Sequence, residues 1–209
     1  MVENQPENSE SRPWLSWICD SQDSEQLKKK YDSWANTYDT DVGEDWSFMP
    51  ENAAIALERV LPAKDAKILD AGAGTGFVGE SLAKLGYTNI TAAELSEGML
   101  EVARQKQVYK TLLQCNLEET DAFSEKEIFD AIISVGVFAH AHAGVRVLQN
   151  LFSLLKKGGF FVLTMRGEYR DIMQEALDRL PWSLVNQDDF GIYGKEVIYV
   201  LVFRKERSL

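Results

Sequence analysis

Side chains that bind metals or form cross-links are scarce: the 209 residues include two cysteines and two histidines. Cys19 and Cys115 lie far apart in no metal-ligand spacing, so neither a disulfide framework nor a zinc site is expected, and cysteine usage points to a reducing, cytoplasmic setting. His140 and His142 are too few for a multi-histidine metal centre, and residues two apart do not face one another on a helix, so no metal is expected. Positive charge is also short. Twenty-two basic residues against thirty-three acidic ones give a net charge of -11 and a pI near 4.7, a field that repels polyanions and disfavours a nucleic-acid substrate. No apolar run approaches the roughly 20 residues that span a bilayer. The polar, acidic start of the chain lacks a basic stretch leading into an apolar one, so no membrane or secretory address is expected.

What is present is enough for one core. With 45% hydrophobic and 26% charged residues, the composition supports a single domain over residues 24–209, preceded by an extension over residues 1–23. The first dozen residues are polar and are expected to be disordered, whereas Trp14, Trp17 and Ile18 form a cluster suited to docking on the domain. From Ser24 the residues Leu27, Tyr31, Trp34, Ala35 and Tyr38 recur at helical spacing and make an aromatic face. A second helix is predicted to start at Pro50, run through Ile55, Leu57 and Val60, and stop at Pro62.

A regular alternation follows. Residues 67–70 read as a buried strand, then come a glycine loop, a helix closed by Gly86, and a strand over 89–94. Ser96 is placed to cap a helix to about Lys106; residues 111–115 and 129–135 read as strands, and a helix over 144–155 meets the turn 156–159 before a strand over 160–165. Strands alternating with helices imply parallel pairing and right-handed crossovers, a doubly wound α/β fold. After a helix over 169–180, the runs 182–185 and 197–203 have turn sequence and no helix between them, which predicts an antiparallel hairpin closing a mostly parallel seven-stranded sheet.

The segment from Ile68 to Gly79 runs from strand into helix, where missing side chains let a ligand approach the backbone. Gly74, Gly76 and Gly79 fit the dinucleotide pattern G-x-G-x-x-G, and Glu94 lies at the distance expected of a ribose-binding acid, so NAD is one reading. Asp70 and Gly72 favour another, because D-x-G-x-G-x-G puts a carboxylate where a pyrophosphate would be repelled and the amino group of a methionine moiety would be held. A tight turn with no ligand is the bland alternative. Glu94 can accept from ribose hydroxyls, Leu95 offers an apolar surface to a purine, and Met99 either lines the same pocket or belongs to the core. Asn116 offers an amide to an adenine amino group, with the backbone of Leu117 near a ring nitrogen; alternatively Asn116 makes a turn.

The motifs DAGAGTG (70–76), AELSEGML (93–100), FDAIISVGV (129–137) and LLKKGGFFVLT (154–164) resemble, in order and spacing, the class I S-adenosylmethionine (SAM)-dependent methyltransferases. With YDSWA (31–35) and Tyr38-Asp39 ahead of them, the chain is most similar to the Williams-Beuren syndrome region methyltransferase-like proteins. The resemblance implies a Rossmann-like methyltransferase fold, SAM as cofactor and S-adenosylhomocysteine as product. It assigns Asp70, Gly72, Gly74 and Gly76 to the methionine end, Glu94 to the ribose, and Leu95, Asn116 and Leu117 to the adenine. Ser134 and Val135 would lie beneath the cofactor, and Tyr31, Trp34 and Tyr38 would belong to a lid above it. Two departures stand out: Glu94 and Asn116 each occupy a position where many relatives carry aspartate.

Methyl transfer from a sulfonium needs alignment and exclusion of water more than a metal or a covalent nucleophile. A hydroxyl or protonated amine acceptor would also need a general base, for which His140 is the candidate, with a simple loop role as its alternative. Arg166 could meet an acidic acceptor. The acidic charge favours a small-molecule acceptor, while a protein acceptor stays open. A SAM-binding regulatory protein without turnover and an NAD-dependent oxidoreductase are the competing functions.

Overall fold

The structure is a computed structural model, and it describes residues 17–18, 20–119, 123–138, 143–192 and 196–208, without the side chains of 44–47 and 192. Among the described residues, α1 (Ser24–Val42) and α2 (Glu44–Val60) precede the sheet. The alternating part comprises β1 (Ile68–Ala71), α3 (Phe77–Lys84), β2 (Ile90–Glu94), α4 (Glu97–Gln105), β3 (Thr111–Gln114), β4 (Phe129–Ser134), α5 (Val145–Leu154) and β5 (Leu155–Arg166). Then come α6 (Gly167–Arg179), β6 (Trp182–Ile192) and β7 (Glu196–Lys205). The seven strands form one sheet in the order β3-β2-β1-β4-β5-β7-β6. β1 to β5 pair in parallel, and β7 runs antiparallel to both β5 and β6. The strand order reverses between β1 and β4, so the loops after those strands face one crevice.

Period-two alternation divides the core into two layers. Leu69, Ala71 and Ile132 pack with Leu148, Leu151 and Phe152 of α5 and Met173 of α6 on one face. Ile68, Ala131 and Ile133 pack with Ala53 and Leu57 of α2 and Val78 and Leu82 of α3 on the other. Burying such a side chain fully stabilises the fold by about 1.5–3 kcal/mol, so the middle strands anchor the end of β1, where the glycine bend begins. At the far end of the sheet Lys205 is 1% exposed, yet its ammonium donates to the carbonyls of Phe152 (3.0 Å) and Leu155 (2.7 Å) and pairs with Glu127 (3.1 Å). These bonds satisfy carbonyls that the end of α5 leaves without helical partners.

Three boundaries differ from the sequence reading. α2 starts at Glu44, capped by Gly43 at φ +67°, and Pro50 lies inside the helix instead of opening it. β6 runs to Ile192 although Asn186, Gln187, Asp188 and Asp189 read as turn sequence. β6 is an edge strand, whose free side tolerates polar residues, and its pairing with β7 outweighs their poor strand propensity. The expected turn at 156–159 survives as an extrusion within β5: Phe129 faces Leu155 and Ala131 faces Phe160, so four residues oppose Asp130 alone. Trp17 and Ile18 do dock, with Ile18 buried beside Trp34 and the Trp17 ring 6.2 Å from that of Trp34. Trp14, Cys19 and residues 1–12 lie outside the described residues.

Candidate functional site

The bend between β1 and α3 needs glycine for different reasons at different positions. Gly72, Gly74 and Gly76 all have positive φ, at 78°, 53° and 97°. A Cβ on Gly72 would come within 2.2 Å of the Val137 side chain, from the loop after β4. A Cβ on Gly74 would meet nothing within 4 Å, so this glycine borders open space. The bend is pinned to the end of β2, with the Gly72 and Ala73 N–H groups donating to the Ala93 carbonyl at 2.8 and 3.1 Å.

Two buried carboxylates flank the bend. Asp70 is 0% exposed; its Oδ2 accepts from the Tyr109 hydroxyl at 2.6 Å, and its Oδ1 has no partner. Burial pushes its carboxyl up to about 7, helped by the charge of Glu94 and opposed by the bond from Tyr109 and the nearby Gly79 N–H dipole. Glu94 is 8% exposed and receives three backbone bonds: Leu95 (2.8 Å) and Ser96 (3.0 Å) donate to Oε1, and Gly74 (2.9 Å) donates to Oε2. Burial raises its carboxyl too, against the pull of those three donors. As held here, Oε1 has its two donors and Oε2 has room for one more. Thr75 Oγ1 and Asp39 Oδ1 are likewise buried without a partner.

The first helix closes over this region. Asp32 of α1 accepts from the Ser96 hydroxyl (2.6 Å) and the Gly98 N–H (3.0 Å), so a side chain of one helix caps the start of α4. A Cβ on Gly98 would lie 3.0 Å from the Asp32 carbonyl oxygen, so the helix crossing itself requires glycine there. Lys106, at the end of α4, pairs with Asp39 of α1 (3.0 Å) and Glu80 of α3 (2.8 Å). On the inner side of α1 the Trp34 ring lies 6.3 Å from that of Tyr31 and 4.7 Å from that of Tyr38. Burial, with Glu94 and Asp39 nearby, raises the Tyr38 phenol above its ordinary value.

The remaining residues singled out from sequence are placed unevenly. Leu95 is partly buried next to Glu94. Met99 is 1% exposed and buried on α4, one turn beyond the Glu94 strand end. Asn116 closes a turn: its Oδ1 accepts from the Glu118 N–H at 3.0 Å, and its amide nitrogen points to Glu119. The Leu117 carbonyl accepts from Asn150 at 2.9 Å. Ser134 is fully buried and donates to the Ala71 carbonyl at 2.9 Å, tying β4 to the base of the bend, and Val135 packs beside the α2–α3 layer. Arg166 pairs with Glu196 at 3.2 Å. His140 and His142 lie outside the described residues. Tyr109, Asp32, Asp39 and Lys106 were not picked out from the sequence as parts of this site. The acidic residues of YDSWA and Tyr38-Asp39, at helical spacing, were the one local signal available.

The donor set tests what this bend can hold. Asp39, Asp70, Glu80 and Glu94 gather around it with Lys106 as the one cation, among the described residues, drawn into their network, and that ammonium is already shared between two of them. A pyrophosphate placed here would face uncompensated carboxylates, whereas a ligand carrying an ammonium and a sulfonium would relieve them. The partnerless oxygens of Asp70 and Thr75 and the open space at Gly74 fit such a ligand.

Comparison with known proteins agrees with this geometry. A family model described as a methyltransferase domain matches residues 69–163. The chain is 32% identical over 157 residues to methyltransferase-like protein 27 of Homo sapiens, covering 72% of this chain and 64% of that one. It is 30% identical over 142 residues to a malonyl-(acyl-carrier protein) O-methyltransferase of Bacillus cereus, covering 68% and 52%. The chain thus spans between half and two thirds of the length of these relatives. Among solved structures, the (4+2)-cyclase SpnF shares the fold with a TM-score of 0.71 at 14% identity, over 88% of this chain and 96% of that one. Sheet order, glycine bend and sequence likeness together make residues 69–163 a methyltransferase domain similar to the class I SAM-dependent methyltransferases.

Proposed function

We propose that the chain binds SAM at the glycine bend and transfers its methyl group to a small-molecule acceptor. The observation that carries the reading is the cluster of buried carboxylates around a backbone cradle, with oxygens left partnerless, a setting that selects a cationic ligand. In this reading residues 24–209 form one domain in which α1 and α2 serve as a lid carrying Tyr31 and Tyr38, residues 1–23 are an extension, and the protein works in the cytoplasm. Asp70, Gly72, Gly74 and Gly76 hold the methionine end. Glu94 accepts a ribose hydroxyl on its remaining site, and Leu95 covers the adenine with Asn116 and Leu117 at its edge. Ser134 and Val135 support the floor. Bound there, the cofactor supplies a methyl group already activated by the positive sulfur. The chain's own work is to orient the acceptor and exclude water, with His140 as the candidate base for an acceptor that must lose a proton.

A small-molecule acceptor is favoured by the acidic surface charge of the chain. A second reading, cofactor binding without methyl transfer, is supported by the structural neighbour described as a cyclase, since the same fold there carries a different name for its chemistry. Titration calorimetry with SAM, S-adenosylhomocysteine and NAD tests the first step: SAM and its product bind, and NAD does not. Binding of NAD in preference to SAM overturns the reading. Labelled SAM mixed with a fractionated cell extract tests the second. Label in the low-molecular-weight fraction supports the acceptor class, label in protein corrects it, and no label in either favours binding without turnover.

A further inference from the structure

We propose that Tyr109 is a positioning residue of this site, a strut whose hydroxyl fixes the Asp70 carboxylate so that one oxygen is engaged and the other is left for the ligand's ammonium group. The ligand part of this proposal rests on the SAM reading above. The strut itself stands on geometry. Tyr109 lies just before β3, far from Asp70 in sequence, yet its hydroxyl donates to Asp70 Oδ2 at 2.6 Å and accepts from the Gly79 N–H at 3.2 Å. A phenol has one proton, and because the Gly79 N–H occupies it as a donor, that proton goes to the carboxylate. Burial, together with the adjacent Asp70, raises the Tyr109 phenol well above its ordinary value, so it stays a donor across the working range.

The ring also explains glycines that the open side of the bend does not. A Cβ on Gly79 would lie 2.3 Å from Tyr109 Cζ and 2.5 Å from its oxygen, and one on Gly76 would lie 3.1 Å from Cε2. A Cβ on Gly74 would meet nothing. The glycine pattern therefore serves two occupants. Gly74 opens the bend toward a ligand, whereas Gly79, which reads as the third glycine of a dinucleotide motif, makes room for a tyrosine from the next crossover. Behind the bend Tyr109 ties the last turn of β1 to the first turn of α3, and Asp70 Oδ1 is the atom it leaves without a partner.

The charged groups facing Asp70 set the direction of the effect. Glu94 from β2 opposes its ionisation, Tyr109 favours it, and Glu80 of α3 lies near the phenol while sharing Lys106 with Asp39 of α1. Removing the hydroxyl removes a donor to the charged form, so Asp70 becomes harder to ionise. The test is a carbon-13 carboxyl titration of the free protein, with Asp70→Asn identifying the signal, alongside SAM calorimetry from pH 6 to 9. In Tyr109→Phe the Asp70 midpoint moves up by about half a pH unit or more. SAM binding weakens several-fold near pH 6.5, and the deficit shrinks by pH 9, where both proteins carry the ionised carboxylate. A 3-fluorotyrosine at position 109, a stronger donor of nearly the same volume, moves the midpoint down, and it decides the matter if Tyr109→Phe fails to fold. An unmoved midpoint overturns the proposal, as does a binding loss equal at every pH, which marks a merely structural role. If the native protein binds no SAM at any pH, the SAM reading fails, and the free-protein titration alone judges the strut.

Discussion

Replacing Asp70 with asparagine should make the free protein more stable at alkaline pH while abolishing cofactor binding. Asp70 is fully buried, and its carboxyl is pushed from an ordinary 3.8 to about 7, chiefly by burial. The folded chain then holds the proton more tightly than the unfolded one between about pH 4 and 7. Stability falls as pH rises through that window and stays at the lower level above it. At about 1.4 kcal/mol per pH unit, the ionised group costs the unliganded fold about 4 kcal/mol at pH 8 and almost nothing near pH 4. Asparagine carries no titrating proton, and its amide oxygen can still accept from Tyr109. Its NH2 lacks a partner where Oδ1 already lacked one, a change costing about 1–3 kcal/mol at every pH, so it cancels when two pH values are compared. Relief of repulsion on Glu94 adds in the same direction. About 2–3 kcal/mol of that cost develops between pH 5 and pH 8, and for a chain of this size 1 kcal/mol moves Tm by about 2–4 °C, so the Tm difference between variant and native should grow by about 5–10 °C over that interval. Circular-dichroism melts at the two pH values measure it, and calorimetry with SAM measures the lost binding. A Tm difference that does not change with pH, or unchanged affinity for SAM, would refute the reasoning.

Further outcomes follow from the same geometry. Glu94→Ala removes an acceptor for three backbone N–H groups as well as the proposed ribose contact, so SAM affinity should fall at least several-fold in calorimetry; an unchanged Kd contradicts the assignment. Gly72→Ala places a Cβ 2.2 Å from Val137 at a φ of 78° and should cost about 1–3 kcal/mol in urea unfolding. Asp32→Ala should loosen α1 from α4 by about 1–2 kcal/mol at pH 7. Although burial pulls the Asp32 carboxyl up, its bonds to Ser96, Gly98 and Lys28 hold it below the ordinary value. Its contribution is therefore present above about pH 4 and fades as pH falls further, and hydrogen exchange in α1 at pH 7 and pH 3 checks the sign.

The contrast between Gly79 and Gly74 shows where sequence reading stops. Both belong to one glycine-rich run, and spacing alone fits them equally to a ligand. The structure gives one of them to the Tyr109 ring and leaves the other facing open space. Asn116 and Met99 show the same limit, since spacing does not tell that Asn116 Oδ1 accepts from the Glu118 N–H or that Met99 is buried. The network of Asp32, Asp39 and Lys106 joins α1 to the glycine region across contacts that no periodicity encodes.

Local pattern by itself determined the order of strands and helices, the closing hairpin, the bend at 70–76 and the acid at the end of β2. Each of these is written in neighbours: a period of two or 3.6, a glycine where φ is positive, a strand end before a helix. Tertiary structure alone decided how far β6 extends along the sheet edge, which glycine borders open space, and how deeply Asp70 is buried against Tyr109. Those properties come from groups far apart in the chain that share a low-dielectric interior, where one missing partner changes the charge a carboxyl carries at neutral pH.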